Sequence, residues 1–318
     1  MMMTQASKKL EVKFQRGQVI QGKWHKRTYH IIRALGSGAV GTVYLCVADG
    51  RKVALKVSSQ MSSISSEVNV LKSFQSVQGT RLGPSLIDVD DFVSKDGQTY
   101  PFYVMEYVEG VSPREFIQRN GKEWLYSLLV GLTRDLEELH RKGYVFGDLK
   151  MENLLVTRNP IRLRWVDVGG TTLQGRSIKE YTEFYDRAYW ECGDRKAEPR
   201  YDLFALAMVV LRIFYPSGFE KSGSPVKMLQ QKTNAAIKNE ALRKLVLALI
   251  HGKMDSASEV RAYLLDAYQN MNKTNASARP GQIPLQSKQH QEGEIYPITE
   301  ASIIFLTSGL FFVWIFLL

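Results

Sequence analysis

From Tyr29 to Val57 apolar and β-branched residues come in short runs separated by glycines, the pattern of strands joined by tight turns. Gly36, Gly38 and Gly41 part the first two runs, and Asp49-Gly50 turns the second into a third that ends Val53-Ala54-Leu55-Lys56. The period then changes. Ile64, Val68 and Leu71 fall at i, i+4 and i+7, one face of a helix. Phe102-Tyr103-Val104 reads as a further apolar strand. Between Glu123 and His140, the residues Trp124, Leu125, Leu128, Leu129, Leu132, Leu136 and Leu139 are spaced for the buried face of a long helix, which Gly143 stops. A loop over 144–153 separates that helix from the next strand, and Tyr201 to Met208 is helical again.

The end of the chain has no such period. Ala301 to Leu318 carries no charge and no proline. As a helix it would span about 27 Å, close to the hydrocarbon core of a bilayer. It predicts a membrane tail anchor, with the preceding residues cytoplasmic and no external ligand domain. A buried core helix is the alternative. Arg279 and Lys288 precede the stretch and no basic residue follows it, in line with positive-inside orientation. Residues 271–300, rich in Asn, Gln, Ser and Pro, read as a flexible linker. Met1 to Lys9 has no apolar core and is not a signal peptide. The two cysteines, Cys46 and Cys192, suggest a reducing compartment without a disulfide framework.

Candidate chemistry concentrates in Tyr144-Val145-Phe146-Gly147-Asp148-Leu149-Lys150-Met151-Glu152-Asn153. A carboxylate to orient a hydroxyl, a cation near a phosphate and an amide for a metal are the parts of phosphoryl transfer. Gly-x-Gly-x-x-Gly alone is a weak signal. Its dinucleotide-binding form needs a helix directly after it, and here another strand follows. That arrangement, with Val53-Ala54-Leu55-Lys56 on the next strand, is the one in which a glycine loop covers the phosphates of ATP. Trp165-Val166-Asp167-Val168-Gly169-Gly170 follows downstream.

In this order the motifs resemble those of Hanks-type bacterial Ser/Thr protein kinases. The strings Ile20 to Trp24, Ser66 to Phe74, Phe146 to Lys150, Val166 to Thr172 and Lys179 to Arg187 are similar to a sporulation-related Bacillus branch of that family. The resemblance implies an α+β bilobal kinase fold: a small antiparallel β N-lobe and a mainly helical C-lobe, plus the C-terminal transmembrane helix. It divides the chain into an extension (1–24), a kinase domain (25–270), the linker (271–300) and the anchor (301–318). It implies ATP with Mg²⁺, or Mn²⁺, as cofactors and proteins as substrates. Asp148 would be the catalytic base and Lys150 would steady the transferred group. Asn153 and Asp167 would bind metal. Gly36, Gly38, Gly41, Val43, Ala54 and Lys56 would hold the nucleotide. Glu67 would pair with Lys56, although it could also be a solvated helix charge. Met105 would be the gatekeeper, and the backbones of Glu106 and Val108 would receive the adenine. Asp202 would anchor the catalytic loop. The branch also implies a role in sporulation, activation by DNA and a septal membrane location.

The departures from the family carry expectations of their own. Phe146-Gly147 replaces the usual His-Arg, so no arginine waits for a phosphorylated activation loop, and activity should not require that phosphate. Val168 replaces the usual Phe, and Phe146 is expected to fill the volume that His and Phe share. The usual Ala-Pro-Glu is missing, and Glu191 is the candidate for its glutamate. Thr171, Thr172, Ser177 and Thr182 are candidate autophosphorylation sites. The aromatic run 181–190 reads as lobe packing. Gly147-Asp148 also resembles small-molecule phosphotransferases, but those lack a lysine at the place of Lys150, which argues for protein substrates. A catalytically weak scaffold with a kinase fold is the other alternative.

The chain carries 42 Lys and Arg against 32 Asp and Glu, a net charge of +10. The surplus is concentrated at 221–291, with Lys221, Lys227, Lys232, Lys238, Arg243, Lys244 and Lys253 as candidate surface cations. A solvated helical face, anionic lipid and DNA phosphates are all compatible with it. Before the anchor, Lys273, Arg279 and Lys288 stand against Glu292, Glu294 and Glu300, which makes the linker a poor DNA contact.

Overall fold

In the computed structural model the described residues are 12–38, 40–75 and 82–277. The first part is a six-stranded antiparallel sheet in the order β1-β2-β3-β4-β6-β5. Its strands are β1 (Val19–Gln21), β2 (Thr28–Gly38), β3 (Gly41–Ala48), β4 (Arg51–Val57), β5 (Leu86–Val93) and β6 (Thr99–Glu106). Helix α1 (Met61–Gln75) crosses between β4 and β5. One face of the sheet buries Tyr29, Ile31, Tyr44, Cys46, Leu55 and Phe102 in a lobe-sized core. Strand alternation accounts for this. In β4, Val53, Leu55 and Val57 point to that core, while Ala54 points to the larger core below.

Strand β1 and Phe14 were not foreseen as part of this lobe. Phe14 is buried against Tyr44 and Phe92, and its backbone N–H donates to the Tyr44 hydroxyl at 3.0 Å. Asp90 accepts the N–H groups of Trp24 and His25, both at 2.8 Å. The packed lobe therefore starts ahead of residue 25.

The second part is helical. Helices α2 (Pro113–Asn120), α3 (Trp124–Arg141), α4 (Pro199–Phe214), α5 (Pro225–Ala236), α6 (Glu240–Ile250) and α7 (Ala257–Ser277) surround the short ribbons β7 (Tyr144–Val145) with β10 (Thr172–Leu173), and β8 (Leu154–Arg158) with β9 (Ile161–Trp165). All the leucines of α3 named above are buried. Helix α4 is apolar on every side and forms the centre of the lobe, buried from Tyr201 to Leu211. Helix α7 continues past residue 270 into the expected linker. No helix among the described residues is long and apolar enough to cross a membrane. The apolar stretch 301–318 lies outside the described residues.

Candidate active site

The β2–β3 hairpin closes with Gly36 opposite Val43 and Gly38 opposite Gly41. The three glycines serve different ends. A Cβ at Gly36 or Gly38 would meet nothing within 4 Å, whereas one at Gly41 would lie 2.3 Å from the Val57 carbonyl. Gly41 is thus required by packing on the end of β4, and the other two leave the backbone open to a ligand. Val43 and Ala54 lie on the side of the sheet that faces the larger core, with Met105.

Strand β4 and helix α1 bring Lys56 and Glu67 together. Lys56 Nζ is 2.7 Å from Glu67 Oε2 and 3.3 Å from Asp167 Oδ1, and both partners of the first pair are buried. Glu67 is thus not a solvated charge. A second bond, absent from the sequence reading, holds it: the Tyr103 hydroxyl on β6 donates to Glu67 Oε2 at 2.6 Å. Burial opposes the charge on Lys56, but Asp167 and Glu67 outweigh it and raise its pKa. Burial pushes the Glu67 carboxyl up in spite of Lys56. For Asp167 burial loses: Lys56 and the Gly169 N–H, which donates at 2.9 Å, hold it below the usual carboxylate range.

The loop after β7 supplies the other cluster. Lys150 Nζ lies 2.6 Å from Asp148 Oδ2. The Asn153 amide nitrogen donates to Asp148 Oδ2 and to the Asp148 carbonyl, both at 2.9 Å. Burial pushes the Asp148 carboxyl up against the pull of Lys150. The fully buried carboxylate of Asp202 on α4 holds this loop as expected. It accepts the N–H of Phe146 at 2.7 Å and of Gly147 at 2.9 Å. His140 Nε2 lies 2.8 Å from the same carboxylate.

Phe146 is buried and stacks on Trp165, with ring centroids 4.8 Å apart, beside buried Val168. Phe146 thus packs beside Val168 as expected, and Trp165, not foreseen, is the third member of the group. Phe146→Ala should lower unfolding stability by about 3–5 kcal/mol, read by denaturant titration.

The hinge is clamped from outside. Arg164 on β9 donates to both Glu106 carboxylate oxygens, at 2.6 and 2.9 Å, and to the Gly83 carbonyl at 2.7 Å. The Glu106 backbone N–H donates to the Ser85 carbonyl at 2.8 Å, so the expected adenine contact at Glu106 would use its carbonyl. Val108 is buried at the end of this segment.

The activation segment departs most from expectation. Glu191 does not take the structural glutamate role: it is exposed and pairs with Lys221 at 2.7 Å. Buried Arg187 instead pairs with Asp194 at 2.7 Å and Glu198 at 2.8 Å. Fully buried Asp186 pairs with Arg195 at 2.7 Å and accepts the Tyr201 hydroxyl at 3.1 Å. Spacing along the chain pointed to Glu191, but the cations it needed lie elsewhere. The aromatic run does pack the lobe: Phe184, Trp190 and Phe219 meet edge to face, and Trp190 is fully buried. Among the candidate phosphorylation sites, Ser177 and Thr182 are exposed and Thr172 is buried in the β7–β10 ribbon. Glu180, not foreseen, faces the catalytic charges. Although Glu180 is exposed, desolvation pushes its carboxyl up, Lys56 pulls it down, and Asp148 and Asp167 add to the rise.

Four of the seven cations of 221–253 have partners. Lys221 is bound to Glu191 and Lys244 to Glu240. Lys232 lies over the rings of Tyr215 and Phe219, and Arg243 reaches the Ile237 carbonyl. Lys227, Lys238 and Lys253 are exposed. Both cysteines are free, one in each lobe. Burial pushes Cys46 up to about 12 and Cys192 up to about 11, so neither is a thiolate near neutral pH.

A glycine hairpin above the buried Lys56-Glu67 pair and its contact to Asp167, facing an Asp-Lys-Asn loop, defines a nucleotide-dependent phosphotransferase of bilobal form. The chain belongs to the protein kinase family: the protein kinase domain model matches residues 29–291. It is 41% identical over 295 residues to serine/threonine-protein kinase YabT of Bacillus subtilis, covering 91% of this chain and 87% of that one. It is 32% identical over 151 residues to serine/threonine-protein kinase cds1 of Schizosaccharomyces pombe, covering 44% of this chain and 32% of that one. The structure of vaccinia related kinase 3 shares the fold with a TM-score of 0.60 at 16% identity, over 82% of this chain and 93% of that one.

Proposed function

We propose that this chain is an ATP-dependent protein kinase that phosphorylates Ser and Thr hydroxyls of proteins. The observation that carries the reading is the completed chain Lys56–Glu67 (2.7 Å) and Lys56–Asp167 (3.3 Å), set in the same lobe interface as Asp148, Lys150 and Asn153. Lys56 is the cation for the nucleotide phosphates. The Asp148 carboxylate orients the acceptor hydroxyl and takes its proton, and Lys150 offsets charge on the transferred group. The donor set fits a hard divalent cation, Mg²⁺ or Mn²⁺. Asp167 is a carboxylate held ionised, and Asn153, whose amide nitrogen is turned to Asp148, would offer its oxygen as ligand. When bound, the ion neutralises charge on the phosphates.

Lys150 favours protein over small-molecule acceptors. The test is transfer from labelled ATP to a panel of basic proteins and peptides beside a metabolite panel that includes aminoglycosides. Label on protein serine or threonine is expected, and label confined to a small molecule would refute the reading.

The reading extends to the chain's surroundings. Residues 301–318 anchor it to the membrane, and the motif resemblance to a sporulation-related branch of the family implies a sporulation role and a response to DNA. Lys227, Lys238 and Lys253 would then be the DNA contacts. A rise in activity with duplex DNA that salt removes is the expected sign.

A further inference from the structure

Gly147 stands where the family has an arginine, and the structure shows why no side chain could return there. Its φ is +77°, and a Cβ would lie 2.5 Å from the Gly170 carbonyl oxygen and 3.1 Å from Ile178 Cδ1. The space over the catalytic loop is therefore filled from the activation segment. Ile178 is buried there in a small apolar cluster with Val145, Ala197 and Tyr201, separate from the main cores. The neighbouring residues Arg176, Ser177 and Lys179 are exposed. Among the residues from 173 to 181, Ile178 is thus the buried one.

The backbone around it is tied into a ribbon with the far end of the segment. Ile178 N–H donates to the Arg195 carbonyl at 2.8 Å, Ala197 N–H to Arg176 at 2.7 Å and Gly175 N–H to Ala197 at 2.9 Å. Asp186 then joins Arg195 and Tyr201 at the base of the same cluster. Val145 lies on β7, directly before the Phe146 and Gly147 amides that Asp202 holds. One apolar contact thus connects the activation segment to the loop that carries Asp148.

We propose that Ile178 is a positioning residue that pins the activation segment to the catalytic loop at Gly147, so that an apolar contact does the work a phosphate–arginine pair would do. This rests on the kinase reading above. In kinases that switch by phosphorylation, a charged group orders the segment through arginine contacts. Here the ordering group is part of the unmodified chain, and it is present whenever the chain is folded.

The test compares wild type, Ile178→Ala and Ile178→Val as full chains, with two readouts. Steady-state kinetics on a basic test protein should show kcat of the Ala variant at least tenfold lower, with KM for ATP within twofold of wild type and most of kcat recovered by Val. Limited trypsin digestion without nucleotide should cut the Ala variant faster after Arg176 or Lys179, with the global unfolding midpoint still above the assay temperature. Phosphatase-treated wild type should keep its kcat. An Ala variant with wild-type kcat and wild-type cleavage would overturn the pin, and so would loss of wild-type activity on phosphatase treatment. If wild type itself transfers no phosphate, the kinase reading fails. The digestion rates then still decide the pin, because they need no turnover.

Discussion

Asp148→Asn is expected to lower kcat roughly a thousandfold while nucleotide binding is kept, within the range of losses on removing a positioned general base. The substitution is nearly isosteric, so the loop should stay in place. Phe146 and Gly147 remain held by Asp202, and the Lys56–Asp167 contact is untouched. What disappears is the charge that faces Lys150 at 2.6 Å and that, in the proposed mechanism, takes the acceptor's proton. An amide is a poor base: its remaining oxygen can still accept from Lys150, but it cannot take up the acceptor's proton. Nucleotide affinity by fluorescence and turnover by label transfer separate the two effects. A fall in both together would mean that Asp148 shapes the nucleotide site instead.

Lys56→Ala is expected to remove both activity and stability. Glu67 is buried, and with Lys56 gone its remaining partner is the Tyr103 hydroxyl. Leaving one member of a buried pair alone costs about 3–5 kcal/mol. Removing the orphaned charge as well should recover part of that loss, so Lys56→Ala with Glu67→Ala should melt above Lys56→Ala alone. The double-mutant cycle, followed by thermal unfolding, measures this. Neither protein should transfer phosphate. If the single variant melts with wild type, the pair is not a structural tie between β4 and α1.

The chemistry of this chain was legible because its parts are local strings. Asp148, Lys150 and Asn153 lie within one loop, and their spacing carries the family resemblance from which their roles are expected. Lys56 and Glu67 could be paired, and Asp167 placed, by motif order along the chain, whereas the Lys56–Asp167 contact was not foreseen. The buried leucines of α3 followed from period alone. The supports were not legible, because each joins positions far apart. Tyr103 reaches Glu67 across α1 and β6, and Arg164 reaches Glu106 across the hinge. Ile178 fills the space above Gly147 only once the segment has turned back. Glu191 shows the converse. A carboxylate at the right distance before a helix is defined by the cation it meets, and here Lys221 meets it at the surface.

Transfer of the ATP γ-phosphoryl group to protein hydroxyls can be read in a single assay. Full-length chain with γ-labelled ATP and Mg²⁺ would be assayed for label on itself and on a basic protein, beside Asp148→Asn and Lys56→Ala. Label on serine or threonine that vanishes in both variants is the predicted result. Confirmed nucleotide binding with no labelled protein in the wild type would contradict it.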